Sequence, residues 1–150
     1  VLLRRALWES ELDGTDRDDL RAEVDAVITR MRELGLLDDA AFAEARARRL
    51  FLRGAPRRKV LARLADKGVS AETARNALNR VAQEGVDPDL RAVIAFARRR
   101  RLGPWRSPEL RAEMRERDAA TLARAGFTWS LARTVIEAPS IEALEAKLDD

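Results

Sequence analysis

A nine-residue helical corner is written twice in this chain. Lys67-Gly68-Val69-Ser70-Ala71-Glu72-Thr73-Ala74-Arg75 aligns with Ala125-Gly126-Phe127-Thr128-Trp129-Ser130-Leu131-Ala132-Arg133, 58 residues later. In each copy a Gly stops one helix, a β-branched or aromatic residue packs, and Ser or Thr caps the next helix. Ala-Arg then sits four and five residues past the cap. The unit that carries such a corner is three helices, with the Gly bend between its second and third.

Helix punctuation elsewhere fits the same unit. Thr15 with Asp18 three residues on predicts a cap, a helix to about Leu34 and a stop at Gly35. Asp38 is the next predicted cap, with Leu37 and Phe42 at hydrophobic-staple spacing and Gly54 ending the helix near Arg53. Pro56 opens a short helix that stops at Gly68, and Ser70 caps one running to about Glu84. Asp87-Pro88 and Ser107-Pro108 are cap-then-Pro starts, Thr128 caps a helix to about Glu137, and Ser140 caps a terminal one. The expected architecture is all-α: an elongated, curved array of tandem three-helix repeats with about nine helices. Residues 38–84 and 87–137 form two units, residues 1–34 are the last two helices of an incomplete first unit, and residues 140–150 are a terminal helix or tail. The opening Val-Leu-Leu-Arg-Arg-Ala-Leu-Trp starts in mid-pattern, as expected of part of a longer protein.

Composition narrows the chemistry. The 150 residues are 46% hydrophobic and 37% charged, too apolar for disorder. With no Cys and no His, disulfides, thiolate or imidazole metal ligands, cysteine nucleophiles and Ser-His-Asp triads are all excluded. No Gly-rich loop precedes a Lys-Ser/Thr pair, so there is no Walker-type nucleotide site. Asp18-Asp19, Asp38-Asp39 and Asp149-Asp150 are sequence neighbours, about 100° apart on a helix, and read as caps or a frayed end rather than a catalytic pair. Neither a bilayer-spanning run nor a signal segment is present, and a cytoplasmic, non-enzymatic protein without cofactor is expected.

Charge is the informative feature. Residues 9–39 hold eleven acids against four Arg, a net of −7, and residues 137–150 hold five acids against one Lys, a net of −4. Between them, residues 44–68 hold seven Arg and two Lys against two acids, a net of +7. On the helix after Asp38, Arg46, Arg49 and Arg53 fall within about 60° of arc, while Ala43, Ala47, Leu50 and Phe51 face elsewhere. Arg57, Arg58, Lys59 and Arg63 extend the charge onto the next helix, where almost no acid is within reach. Arg98, Arg99, Arg100 and Arg101, with Arg106, form a second basic knot. A basic middle between acidic ends suits an anionic polymer approached in one orientation. Val60 to Asn79 also has a helix-turn-helix outline, with Glu72, Arg75, Asn76 and Asn79 facing base edges. The strongest charge lies before its recognition helix, which argues against that reading. Trp129 is expected to pack, whereas Trp105, in a loop beside four arginines, reads equally as packing or contact.

These residues resemble the RecX regulators of bacterial recombination. The resemblance rests on Leu37-Asp38-Asp39, Phe42-Ala43, Gly54, Arg58-Lys59-Val60 with Leu64, and Lys67-Gly68-Val69. Arg124-Ala125-Gly126-Phe127 with Ala132-Arg133 resembles the family's closing unit. One departure is the loop Gly54-Ala55-Pro56, where the family commonly has a second Gly before its Pro. The resemblance implies tandem three-helix repeats and a non-enzymatic regulator that binds RecA and lodges in the groove of the RecA–DNA filament; a monomer is expected. It also implies restraint of recombinase, coprotease and ATPase activities, in the setting of DNA repair and the SOS response. The competing reading is a helical nucleic-acid-binding module that acts on DNA without a protein partner. Both would use the basic residues above.

Overall fold

The computed structural model describes residues 14–34 and 38–149. Among them are eight α-helices and no strand: α1 Gly14–Glu33, α2 Asp39–Leu52, α3 Arg57–Ala65, α4 Ala71–Gln83, α5 Pro88–Arg100, α6 Pro108–Ala125, α7 Trp129–Ile136 and α8 Ile141–Glu145. Two short 3₁₀ turns, Gly103–Trp105 and Ala146–Leu148, complete the described chain. The all-α class read from the sequence holds.

Side-chain caps account for most helix starts. Asp38 accepts from the Ala41 N–H at 2.8 Å, Ser70 from Thr73 at 3.0 Å and Asp87 from Asp89 at 2.9 Å. Thr128 and Ser140 do the same for Leu131 and Ala143. Two expected caps differ. Thr15 lies inside α1, and Ser107 makes no capping bond to the α6 backbone. Pro108 at the first position of α6 presets φ and presents no N–H there, so this start depends less on a cap.

The two written corners are the same corner in space. Val69 N–H donates to the Leu64 carbonyl at 3.1 Å, and Phe127 N–H to the Leu122 carbonyl at 3.2 Å. This is the six-to-one bond of a Schellman close, and it requires the positive φ of Gly68 (80°) and Gly126 (107°). Leu64, Val69 and Ala74 in one copy, and Leu122, Phe127 and Ala132 in the other, are all buried. The shared residue types are therefore core positions.

α2 runs along α4 and also packs on α3, while α3 packs on α4. α5 and α6 both pack on α7, and α2 crosses α5 to join the two groups. One continuous core runs through both, from Ala43, Ala47 and Phe51 through Leu64 and Leu78 to Val93, Leu122 and Val135. The crossing is tight at Gly54, which follows α2. A Cβ placed there would lie 2.8 Å from the Phe96 nitrogen and 3.1 Å from the Ala92 carbonyl oxygen of α5.

A buried ion pair fixes the turn after α5. Asp118 of α6, 2% exposed, accepts from Arg106 Nε and Nη2 at 2.7 and 2.6 Å and from the Gly103 N–H at 3.0 Å. The Asp118 carboxylate raises the Arg106 pKa above its ordinary value. Arg106, half-buried, is thus committed to Asp118 and is set apart from the second basic knot. Trp105 in the same turn is half-buried against the core, which resolves it as packing. Phe96 meets Phe127 edge-to-face at 5.4 Å, joining α5 to the second corner. Val27 and Met31 of α1, and Leu34 just after it, are exposed. Their spacing of four and three residues puts them on one face.

Candidate functional site

α2 supplies the spine of the site. Its buried stripe is Ala43, Ala47, Leu50 and Phe51, and this sets the direction of everything else on the helix. Arg46, Arg49 and Arg53 emerge about a quarter-turn away, Arg49 and Arg53 exposed and Arg46 half-buried. The acids that form tertiary ion pairs are committed elsewhere: Glu44 with Arg48 and Arg80, Glu84 with Arg48, Asp89 with Arg57, Asp118 with Arg106, and Glu137 with Arg115 and Arg133. None of these carboxylates reaches Arg46, Arg49, Arg53, Arg58, Lys59 or Arg63. The Nε of Arg46 is buried and has no hydrogen-bond partner. This one donor is left for an acceptor from outside the described residues, such as an incoming anion.

Two cations in this stretch are neutralised after all. Arg48 lies on the other flank of α2, between Glu44 and Glu84, and its hydrogen bonds hold Glu84 below the usual carboxylate pKa. Arg57 sits 3.7 Å from Asp89 and donates to the Asn79 side-chain oxygen at 3.2 Å. Burial, together with the nearby Asp87, pushes the Asp89 carboxyl above its ordinary value, while Arg57 acts in the opposite direction. Asn79 is thereby engaged, while Glu72, Arg75 and Asn76 of the helix-turn-helix outline are exposed on α4.

The tertiary fold joins the two basic stretches. Arg99 on α5 donates to the Arg53 carbonyl at the end of α2, over 2.7 Å, and satisfies one of that helix's open carbonyls. Arg99 and Arg100 also lie over the Phe96 ring, 5.7 and 5.8 Å from its centroid. Arg98, Arg99, Arg100 and Arg101 are all exposed. Arg101 terminates α5 with φ 55° and ψ 50°, a left-handed conformation that Gly54 provides after α2. At the other end, the Arg58 guanidinium lies over Gly126, 3.6 Å from where a Cβ would stand. Continuity from Arg46 through Arg53 to the α5 terminus depends on contacts 46 residues apart.

Two aromatic residues depart from expectation. Phe42 is 47% exposed rather than buried, and its staple partner Leu37 lies outside the described residues. Four, seven and eleven residues before Arg46, Arg49 and Arg53, it stands within the arginine arc. The helical wheel contains that signal; the cap-based staple reading masked it. Trp129 is 67% exposed rather than packed, because its counterpart in the first corner, Ala71, is also an exposed first-turn position. Among the described residues no cluster of acids is arranged to hold a metal ion, and no helix is long and apolar enough to cross a membrane.

Comparison with known proteins places this geometry. The family profile described as RecX, second three-helix domain, matches residues 38–78, which span α2, α3 and most of α4. A Regulatory protein RecX from Myxococcus xanthus is 38% identical over 138 residues, covering 91% of this chain and 73% of the relative. Proteins of the same name from Agrobacterium fabrum and Thermobifida fusca are each 34% identical, over 71% and 87% of this chain and 55% and 71% of their own lengths. No solved structure matches the chain. Identity at this level over nearly all of the chain, with the basic strip on the matched three-helix domain, shows that the chain belongs to the RecX family.

Proposed function

We propose that this chain is a non-enzymatic regulator of RecA that binds RecA and its filament on DNA. It lodges in the filament groove and mainly inhibits recombinase, coprotease and ATPase activities. The observation that carries the reading is the uncompensated strip Arg46, Arg49, Arg53, Arg58, Lys59 and Arg63, extended by Arg98 to Arg101. A groove containing DNA offers phosphates and acidic side chains together, and a strip on rigid helices meets both without reorganising. The protein acts as a monomer in the cytoplasm, where its target is.

Binding of the labelled chain to RecA-coated and to naked oligonucleotide, measured by anisotropy at moderate salt, tests this. The RecA-coated form is expected to bind more tightly. Equal affinity for both overturns the reading in favour of a DNA-binding module that needs no protein partner. Such a module would lose affinity with salt at a log–log slope of about −0.9 per duplex phosphate and about −0.7 per single-strand phosphate.

A further inference from the structure

About a quarter-turn round α2 from the strip, the structure holds a groove of about 380 Å³ between the end of α2, the outer side of α5 and the terminal turn. Its floor is aliphatic: Leu52, Ile94, Ala95 and Leu148. Leu52 is 60% exposed, one of three exposed leucines among the described residues, with Leu34 and Leu110. The rim is cationic, with Arg91, Arg98 and Arg99 against Glu145. None of these arginines forms an ion pair with a carboxylate among the described residues, whose tertiary pairs lie elsewhere. A second hollow continues past Leu52 and Arg91 toward Phe51, Val86 and Pro88. From Pro88 to Arg99 the trough follows α5 for about 16 Å, three helical turns at 1.5 Å per residue.

We infer that this groove is a docking site for an amphipathic, acidic helix of a partner protein. The floor takes the partner's apolar stripe at i, i+3, i+4 and i+7, and the rim arginines pair with its flanking carboxylates. Length, apolar floor and charge of the rim all select this occupant. A nucleic-acid strand fits poorly, because an aliphatic floor offers bases no stacking platform and desolvates phosphates. Leu52 and Arg53 are consecutive, so the apolar floor and the α2 part of the strip lie about 100° apart on one helix, while Arg98 and Arg99 border both. The groove's occupancy is accordingly measured with neither RecA nor DNA present, so that nothing competes for the shared arginines.

The test uses the full chain and two labelled 14-residue helical peptides with the same leucine stripe, one flanked by Glu and one by Lys. Wild-type protein is expected to bind the Glu peptide at least tenfold more tightly than the Lys peptide. Leu52→Glu, and separately Arg91→Glu with Arg98→Glu, are expected to weaken that binding at least tenfold. All three positions are exposed, and unchanged circular dichroism checks that the fold survives. If Leu52→Glu unfolds the protein, the arginine pair decides. No binding at millimolar peptide, or equal binding of both peptides, overturns the inference. So does displacement of the Glu peptide by a thirty-residue oligo-dT, or self-association of the chain through Leu52 in sedimentation.

Discussion

Gly54→Ala tests the contact that brings the two basic stretches together. Gly54 has φ +73°, so any L residue there takes on left-handed strain, about 1–2 kcal/mol. The new methyl would also stand 2.8 Å from the Phe96 nitrogen and 3.1 Å from both the Ala92 oxygen and the Phe96 Cα. All three are backbone atoms of α5, so no side chain can swing aside, and the helix itself has to move. Overpacking of this kind costs about 1–3 kcal/mol. Stiffening of the unfolded chain offsets about 0.5–1 kcal/mol. The net expectation is a loss of about 2–4 kcal/mol. Gly126→Ala is the control. Its φ of +107° imposes backbone strain, but a Cβ there meets only the Pro56 and Arg58 side chains, at 3.5 and 3.6 Å. Urea unfolding followed by circular dichroism, with unchanged m-values, measures both variants. A Gly54→Ala loss no larger than that of Gly126→Ala would refute the close-approach argument.

Three further outcomes follow from the same geometry. Phe42→Ala is expected to cost at most about 1.5 kcal/mol, since only half of the ring's surface is buried; a loss of 3 kcal/mol or more in urea unfolding would mean the ring belongs to the core. Asp118→Ala is expected to cost about 3–5 kcal/mol, because it strands the Arg106 guanidinium and the Gly103 N–H, and a melting temperature within a few degrees of wild type would contradict this. Arg101→Gly is expected to stabilise the chain by up to about 1 kcal/mol by relieving its left-handed conformation. A clear loss of stability would show that the Arg101 side chain contributes more than its backbone costs.

The helices were legible because their ends are written in residue chemistry. Asp38, Ser70, Asp87, Thr128 and Ser140 cap where they were expected to, and Gly54, Gly68 and Gly126 close helices with positive φ. Thr15 misled because a hydroxyl followed by an acid three residues on occurs inside helices as well as at their starts. Phe42 and Trp129 were misplaced for a related reason: an aromatic residue beside a cap reads as packing, and only tertiary contacts decide whether anything covers it. The arginine arc of α2 was legible from helical periodicity alone. The Arg99–Arg53 bond, the capture of Arg106 by Asp118 and the pairing of Arg57 with Asp89 join residues 12 to 46 positions apart. No local pattern encodes them. Arg57 is accordingly the least free member of the strip and Arg106 no part of it.

In the proposed function, unpaired arginines on α2 grip the anionic surface of a RecA filament. The most direct measurement is the affinity of the double variant Arg49→Glu, Arg53→Glu for RecA-coated oligonucleotide across a salt series, with its melting temperature. Both residues are exposed and off the buried stripe, so the melting temperature should hold within a few degrees. Affinity should fall at least tenfold, and the salt slope should flatten by about 0.7–0.9 for each phosphate that the variant no longer neutralises. A variant that melts like wild type and binds filaments with wild-type affinity and slope would contradict the account.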